Sequence, residues 1–546
     1  MKKKLIATML SAVMVIAMLS GCSTPSGSEP DSGSDSEKVF RYAISTEPTT
    51  LDPTKGNSTT DNEIQHALTE GLVRNSSGEI NPGVAETWEI SDDGLTYTFH
   101  LREDACWSDG ETITADDFVY SWRRLMNPET ASPYAFIGEY VLNGKSVETG
   151  DMKPEELGIE APDDQTVVVK LEKPTSYFLS LIGSCGQFAP LREDVVEEYG
   201  SDFAGKADQN VYSGPFKLTS AENREWIFEP NEYYWDADSI HWDRAEISYI
   251  ENKDTQIAMY EDGELDYAKI SSSYVAEYED EAEVYQSGGT VYCYLNLNSD
   301  NKAIGNKNFR KALNYSLDRK TYVALATDDV NDAYGGIVFS GISGGEGKLY
   351  SEAYDQDFYY PLEGDQELAE KYLADAMEEL GYSEASEITV KLMTSDADSD
   401  KKKAEILQEM WQNALGINVE IEQTTWANLY STAYPNGEFE IGTGSWGPDY
   451  DDPYTYMELY RSDNSYNYSG YSNEEFDALL EAAQSEVDER ARMDLLNEAE
   501  KLLIEDAVSV PLEQANEWYM LDSDVKGVQF YFCGYNVNWI YGDTTE

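Results

Sequence analysis

EITVKLMTSDADSDKKKAEILQEMWQNALGINVEIEQT, residues 387–424, holds two short β-type runs on either side of one long helical stretch. EITVKLMTS reads as a strand, KKKAEILQEMWQNALGI as a helix and NVEIEQT as a second strand. Just upstream, LAEKYLADAMEELGY (368–382) is a further helix that closes at Gly381. This helix–strand alternation predicts βαβ units and a partly parallel sheet, since parallel strands need a helix-length crossover. The fold class is therefore α/β.

Moving outward, the pattern changes. Trp88 and Ile90 share one parity, and Tyr97, Phe99 and Leu101 alternate with Thr98, His100 and Arg102 across Asp92-Asp93-Gly94. That predicts a β-hairpin with one buried face. Ser108-Asp109-Gly110 is a turn, and Thr114 with Asp117 is a capping-box variant opening a helix whose Phe118, Trp122 and Leu125 face a core. Asn127-Pro128 stops it. TVVVKLEKP (166–174) is a strand, GPFKLTSAENREWIFEPNEYYW (214–235) a hairpin and RAEISYI (244–250) a strand. A helix from Asp254 and ELDYAKI (264–270) follow, and NFRKALNYSLDR (308–319) is an amphipathic helix through Phe309, Leu313 and Leu317. Near the C-terminus, YSNEEFDALLEAAQS predicts a helix starting at Ser472 with Glu475 as its capping partner. DLLNEAEKLLIED then leads into the strand SVPL. No repeat of 20–50 residues is present.

The chain opens MKKKLIATMLSAVMVIAMLSGC. Lys2, Lys3 and Lys4 precede an uncharged run of 15 residues, Leu5 to Leu19. The run is shorter than the ~20 residues of a bilayer span and suits a secretory signal. Leu19-Ser20-Gly21-Cys22 resembles the lipobox of bacterial lipoproteins. The resemblance implies removal of residues 1–21 and lipidation of Cys22, with acyl chains held in the membrane at ~0.8 kcal/mol per buried CH₂. Residues 22–37, rich in Ser, Gly, Pro and acids, form a disordered tether. The protein is thus expected to be exported and anchored to the outer face of the cytoplasmic membrane.

A formal charge of −67 excludes a nucleic-acid partner, because the field repels phosphate. It is compatible with cationic ligands and equally with a simple solubility role. His66, His100 and His241 form no metal-type cluster, so zinc chemistry and a Ser-His-Asp triad are not expected. No metal, cofactor or catalytic residue is assigned. Cys106, Cys185, Cys293 and Cys533 lack CxxC spacing, and the sequence leaves their disulfide state open.

SWGPDYDDP, residues 445–453, places three carboxylates in four positions among aromatic rings. A calcium loop from Asp449 would need Gly sixth and Glu twelfth, where Tyr454 and Tyr460 stand. A carboxylate pair for glycoside hydrolysis stays open, with no acid singled out. GISGGEGKL (341–349) lacks phosphate-loop spacing and is a loop. A clamp for a ligand cation is the third reading.

STEPTTLDP (45–53), EGLV (70–73), the stretch 83–124, NPETASPYAF (127–136), SGPFKL, NEYYWD, NFRKALNYSLDR, SWGPDYDDP and the segment from YSNEEFDALLEAA to SVPL occur in this order. The ordered set, from residue 38 to about 515, resembles the peptide-binding members of solute-binding protein family 5, the receptors of bacterial ABC importers. The resemblance implies a two-lobed, periplasmic-binding-protein-like α/β fold of the cluster C type with an extra subdomain in the first lobe. Its expected parts are 38–69 in lobe I, 70–195 in the extra subdomain, 196–290 in lobe I, 291–515 in lobe II and 516–546 returning to lobe I.

It also implies that Asp449 pairs with a peptide α-ammonium while Ser445, Trp446 and Gly447 bond the peptide main chain. Tyr134 matches a ligand-facing position, Asn57 stands where some relatives carry an acid, and Trp426 and Trp446 would wall side-chain pockets. Asp451 and Asp452 would cap or brace the loop, with Pro453 fixing its exit. Two departures concern the peptide carboxylate. Thr443 replaces an Arg found in some relatives, and DADSDKKK (396–403) replaces a His-bearing loop, leaving Lys401 or Lys402 as the cation on offer. The expected protein is a lipid-anchored monomer that delivers short peptides to permease subunits without chemistry. A receptor for another solute, such as a glycan or metal chelate, and an extracellular hydrolase remain the alternatives.

Overall fold

The computed structural model describes residues 37–544 apart from residues 77, 78, 279, 280, 329 and 487. The expected signal segment, Cys22 and residues 22–36 of the tether lie outside the described residues. Among the described residues, no helix is long and apolar enough to cross a membrane.

Residues 387–424 form a strand, Thr389–Ser395, a helix, Asp398–Leu415, and a strand, Asn418–Thr424. The strands run parallel, from Thr389 opposite Asn418 to Ser395 opposite Thr424. The helix buries Ala404, Leu407, Trp411 and Leu415. They meet Val390, Leu392 and Val419 of the sheet in one apolar core. The preceding helix, Gln366–Leu380, stops at Gly381, whose φ of 78° is open to glycine at little steric cost.

These strands end a sheet that continues through the molecule. Its order is Asn418–Thr424, Thr389–Ser395, Ile441–Trp446, Glu283–Leu295, Ser509–Leu521, Tyr267–Lys269, Val39–Ile44, Arg244–Tyr249, Glu225–Pro230 and Phe216–Glu222. The two central strands, each of 13 residues, run antiparallel to one another. Toward one end the sheet packs on Phe40, Tyr42, Phe228 and Trp539. Toward the other it packs on Leu313, Leu392 and Trp411. The central pairing slips between Gln286–Asn516 and Thr290–Gln514, leaving Ser287-Gly288-Gly289 as a bulge. Gly288 sits at φ 72°, and a Cβ there would meet Phe532 O and Pro448 Cδ at 2.8 Å. Only glycine fits.

A separate four-stranded sheet in the order Ala85–Ile90, Thr96–Leu101, Thr166–Lys170, Ile159–Asp163 holds the hairpin read from sequence. The Thr114–Asp117 capping box opens the helix Ala115–Met126, which buries Phe118, Trp122 and Leu125.

Four sequence readings need correction. Ile90 is 47% exposed, so Tyr97, Phe99 and Leu101 carry the hairpin's buried face. The helix expected over 308–319 ends at Tyr315, because Asp318 caps a second helix, Arg319–Thr327; Leu317 is buried between them. Asn473, rather than Ser472, caps the helix Glu474–Ser485 by accepting from the Glu475 and Phe476 N–H groups. The strand begun by SVPL continues to Leu521. Cys106, Cys185, Cys293 and Cys533 are all free thiols.

Candidate functional site

The strand Ile441–Trp446 is paired along its whole length with Glu283–Leu295, from Leu295–Ile441 to Thr290–Trp446. On its other side, pairing with Thr389–Ser395 is limited to Leu392–Ile441 and Met393–Gly442. Beyond that point the two strands part, so the edge of residues 443–446 has no strand partner. Ser445 and Trp446 of that edge line a cavity of about 430 Å³, while the Thr443 carbonyl accepts from the Tyr434 hydroxyl at 2.7 Å. Gly447 and Pro448 then turn the chain so that Asp449 enters the cavity wall. The walls include Asn57, Tyr134, Trp426, Ser445, Trp446, Gly447 and Asp449, every main-chain, ammonium and aromatic candidate named from sequence.

Asp449 is 7% exposed. Its Oδ1 accepts from the Tyr134 hydroxyl at 2.8 Å, while its Oδ2 is buried with no hydrogen-bond partner. Burial pushes this carboxyl up to about 7, and the Tyr134 hydrogen bond opposes that rise only in part. Tyr134 is held by ring contacts with Phe136 at 4.9 Å and Tyr466 at 6.1 Å.

The neighbouring acids are already employed. Asp451 accepts from the Ser343 N–H at 2.8 Å. Asp452 takes both arms of the buried Arg492 guanidinium at 2.5 and 2.9 Å and also accepts from the Tyr454 N–H. Of the three carboxylates, Asp449 is the one with a buried oxygen that lacks a hydrogen-bond partner, and it lies in the cavity wall.

The lysines suggested from sequence are elsewhere. Lys401 and Lys402 are half exposed at the start of their helix, within 4.0 Å of Glu405 and 3.9 Å of Asp328, and neither is among the cavity-lining residues. Helical phase instead turns Lys403 inward, to Glu513 at 2.7 Å. Thr443 bonds Thr394 at 3.1 Å. Sequence reasoning did not find Lys269, Glu517, Tyr430 and Tyr466, which also line the cavity. A lysine inside the apolar run of ELDYAKI was the available signal for Lys269. Tyr466 packs edge-on against Trp446 at 5.6 Å and belongs to the tyrosine-rich stretch SYNYSGY.

A cavity walled by a strand edge, aromatic rings and an unsatisfied acid can hold a cationic, main-chain-bearing ligand. Residues 79–468 match the family described as bacterial extracellular solute-binding proteins, family 5 middle. The chain belongs to this family. It is a solute-binding protein rather than an enzyme. The chain is 31% identical to the dipeptide-binding protein DppE of Bacillus subtilis, over 94% of this chain and 93% of that one. It is 31% identical to the oligopeptide-binding protein OppA of the same organism, over 97% of each chain. Among solved structures, Listeria monocytogenes OppA bound to peptide superposes with a TM-score of 0.83 at 30% identity, covering 93% of this chain and 99% of that one. The architecture is thus the two-lobed, periplasmic-binding-protein-like α/β fold.

Proposed function

We propose that this solute-binding protein captures short peptides, seats their N-terminal ammonium on Asp449 and their main chain along Ser445, Trp446 and Gly447, and passes them to the permease of an ABC importer. Cys22 would tether it to the membrane surface by lipid. The carrying observation is the Asp449 Oδ2, buried in the cavity wall with no donor. A buried acceptor left unsatisfied costs about 1–3 kcal/mol, which an arriving ammonium removes. Main-chain bonding along a strand edge supplies affinity that ignores side chains, as general peptide capture requires. Relatives that are dipeptide-binding and oligopeptide-binding proteins support the same class of ligand. Contacts from both lobes to one ligand would favour the closed arrangement.

The test is a calorimetric cycle of wild type and Asp449→Asn against Ala-Ala-Ala and its N-acetyl form. Stranding one member of a buried charge pair costs ~3–5 kcal/mol, so either change alone should weaken binding by roughly 10²–10³-fold. The two should not add, because each deletes the same contact. Equal binding of acetylated and free peptide to wild type would remove Asp449 from this role.

A further inference from the structure

Behind Ser445 a second chamber of about 140 Å³ adjoins the main cavity, sharing Val291, Trp426 and Tyr430 with it. Its wall carries Asp400 and Lys403. The Lys403 ammonium is committed to Glu513 Oε1 at 2.7 Å, and the Glu513 side chain is fully buried. The other oxygen of that carboxylate, Oε2, has no hydrogen-bond partner. Asp400 accepts from the Ser395 hydroxyl at 2.5 Å and has no ion pair among the described residues. Glu513 lies behind Lys403 and does not line the chamber, so with Lys403 paired to it the Asp400 carboxylate is the unpaired charge in the chamber wall. At its mouth, Trp426 is 50% exposed, its ring 4.9 Å from that of Tyr430.

Three kinds of side chain can be weighed against this wall. A carboxylate would meet Asp400 and find Lys403 already paired, so it is repelled. An aliphatic group would cover the aromatic faces yet leave the Asp400 charge without a partner in the closed chamber. A guanidinium stacks its plane on Trp426 and Tyr430 and brings N–H donors to the Asp400 carboxylate. Lysine offers the charge without the plane.

We infer that this chamber is a specificity pocket for a cationic side chain of the bound peptide, arginine ahead of lysine. The inference rests on the peptide reading above. With the ammonium at Asp449 and the main chain running back along residues 446 to 444, the side chain that reaches the chamber belongs to a residue after the first. The long-range field of a chain carrying −67 draws the same class of ligand toward the protein.

The experiment is calorimetry with Ala-Arg-Ala and Ala-Ala-Arg, each paired with its Leu and Glu counterpart, and Ala-Ala-Ala as reference. At one of the two positions Arg should bind about tenfold or more tighter than Leu, and Glu about tenfold weaker than Leu. D400N should pull the Arg-to-Leu ratio toward one. E513Q should release Lys403 and turn the preference toward Glu. Asp400 lies in the first turn of its helix, so D400N keeps the test decisive should E513Q fold poorly. Leu equal to Arg at both positions, or an Arg preference untouched by D400N, overturns the pocket while leaving peptide capture standing. Failure of every peptide, Ala-Ala-Ala included, overturns both.

Discussion

Glu500 and Asp449 are both buried carboxylates, and the fold treats them in opposite ways. Glu500 accepts four hydrogen bonds, from the Ile337 and Val338 N–H groups at 3.0 Å each and from the Tyr350 and Tyr359 hydroxyls at 3.0 and 2.8 Å. Asp449 accepts one side-chain hydrogen bond and has an orphaned oxygen. Burial raises both above the usual carboxylate range, Asp449 to about 7. A fold able to surround Glu500 with donors can satisfy a buried acid, so the empty valence on Asp449 sets it apart and is what the proposed ligand role rests on. Asp452, gripped by Arg492, belongs with Glu500.

The largest expected effect separates these two classes by stability. Arg492→Leu leaves Asp452 buried, 3% exposed, without its cation. Breaking such a pair costs ~3–5 kcal/mol, which should appear as a large fall in the urea midpoint. Asp449→Asn should be no less stable than wild type at pH 7. The sign follows from the raised carboxyl: stability present below pH ~4 is lost as pH rises through about 7, a loss that an Asn does not suffer. If Asp449→Asn loses as much stability as Arg492→Leu, the division between structural and ligand-facing acids fails.

A pH series sharpens the same contrast in binding. Below about 7 the empty Asp449 is protonated and must release that proton to accept an ammonium. Affinity for Ala-Ala-Ala should therefore fall with a slope that approaches tenfold per pH unit well below 7, roughly 15-fold between pH 7 and 5.5. Above pH ~8 the peptide amine itself loses its proton, and affinity should fall again. Glu458, which accepts from Tyr140 and Tyr450, also titrates near 7. Its influence is common to free and acetylated peptides, so the ratio of their affinities isolates Asp449. A ratio independent of pH from 5.5 to 7 would break the argument.

How far the sequence reveals this depends on the range of the contacts. The α/β class was legible at residues 387–424 because strand, helix and strand are each set by local pattern. Asp449 was legible through family resemblance, together with Tyr134 and the strand before it. The division of labour within SWGPDYDDP was legible only in outline, as acids that cap or brace. Asp451 is satisfied by Ser343, 108 positions away, and Asp452 by Arg492, 40 positions away, and neither partner follows from spacing. The lysines failed for a different reason. Each step along a helix rotates the side chain by about 100°, so reading KKK without the phase of the helix selects Lys401 or Lys402 when Lys403 faces in. The helix break at Ser316 was hidden because Leu317 continues the apolar pattern while Asp318 caps the next helix.

The smallest expected effect concerns a polar group that the fold satisfies at its surface. Asn473 Oδ1 accepts from the N–H groups of Glu475 and Phe476 at 2.9 and 3.3 Å, while its Nδ2 donates to Tyr471 Oη at 2.8 Å and to Asp506 at 3.1 Å. Every polar atom of that side chain is engaged, as with Glu500, but close to water. Removing it exposes N–H groups that solvent can reach, so the loss is that of one helix cap. Asn473→Ala should cost ~1 kcal/mol, and Ser472→Ala, which removes no cap, should stay within about 0.5 kcal/mol. Both should leave affinity for Ala-Ala-Ala unchanged, since neither residue lines the cavity. Equal losses from the two variants would return the cap to Ser472. A change in affinity with either would show that satisfied surface groups also tune the ligand site, which the contrast between Glu500 and Asp449 forbids.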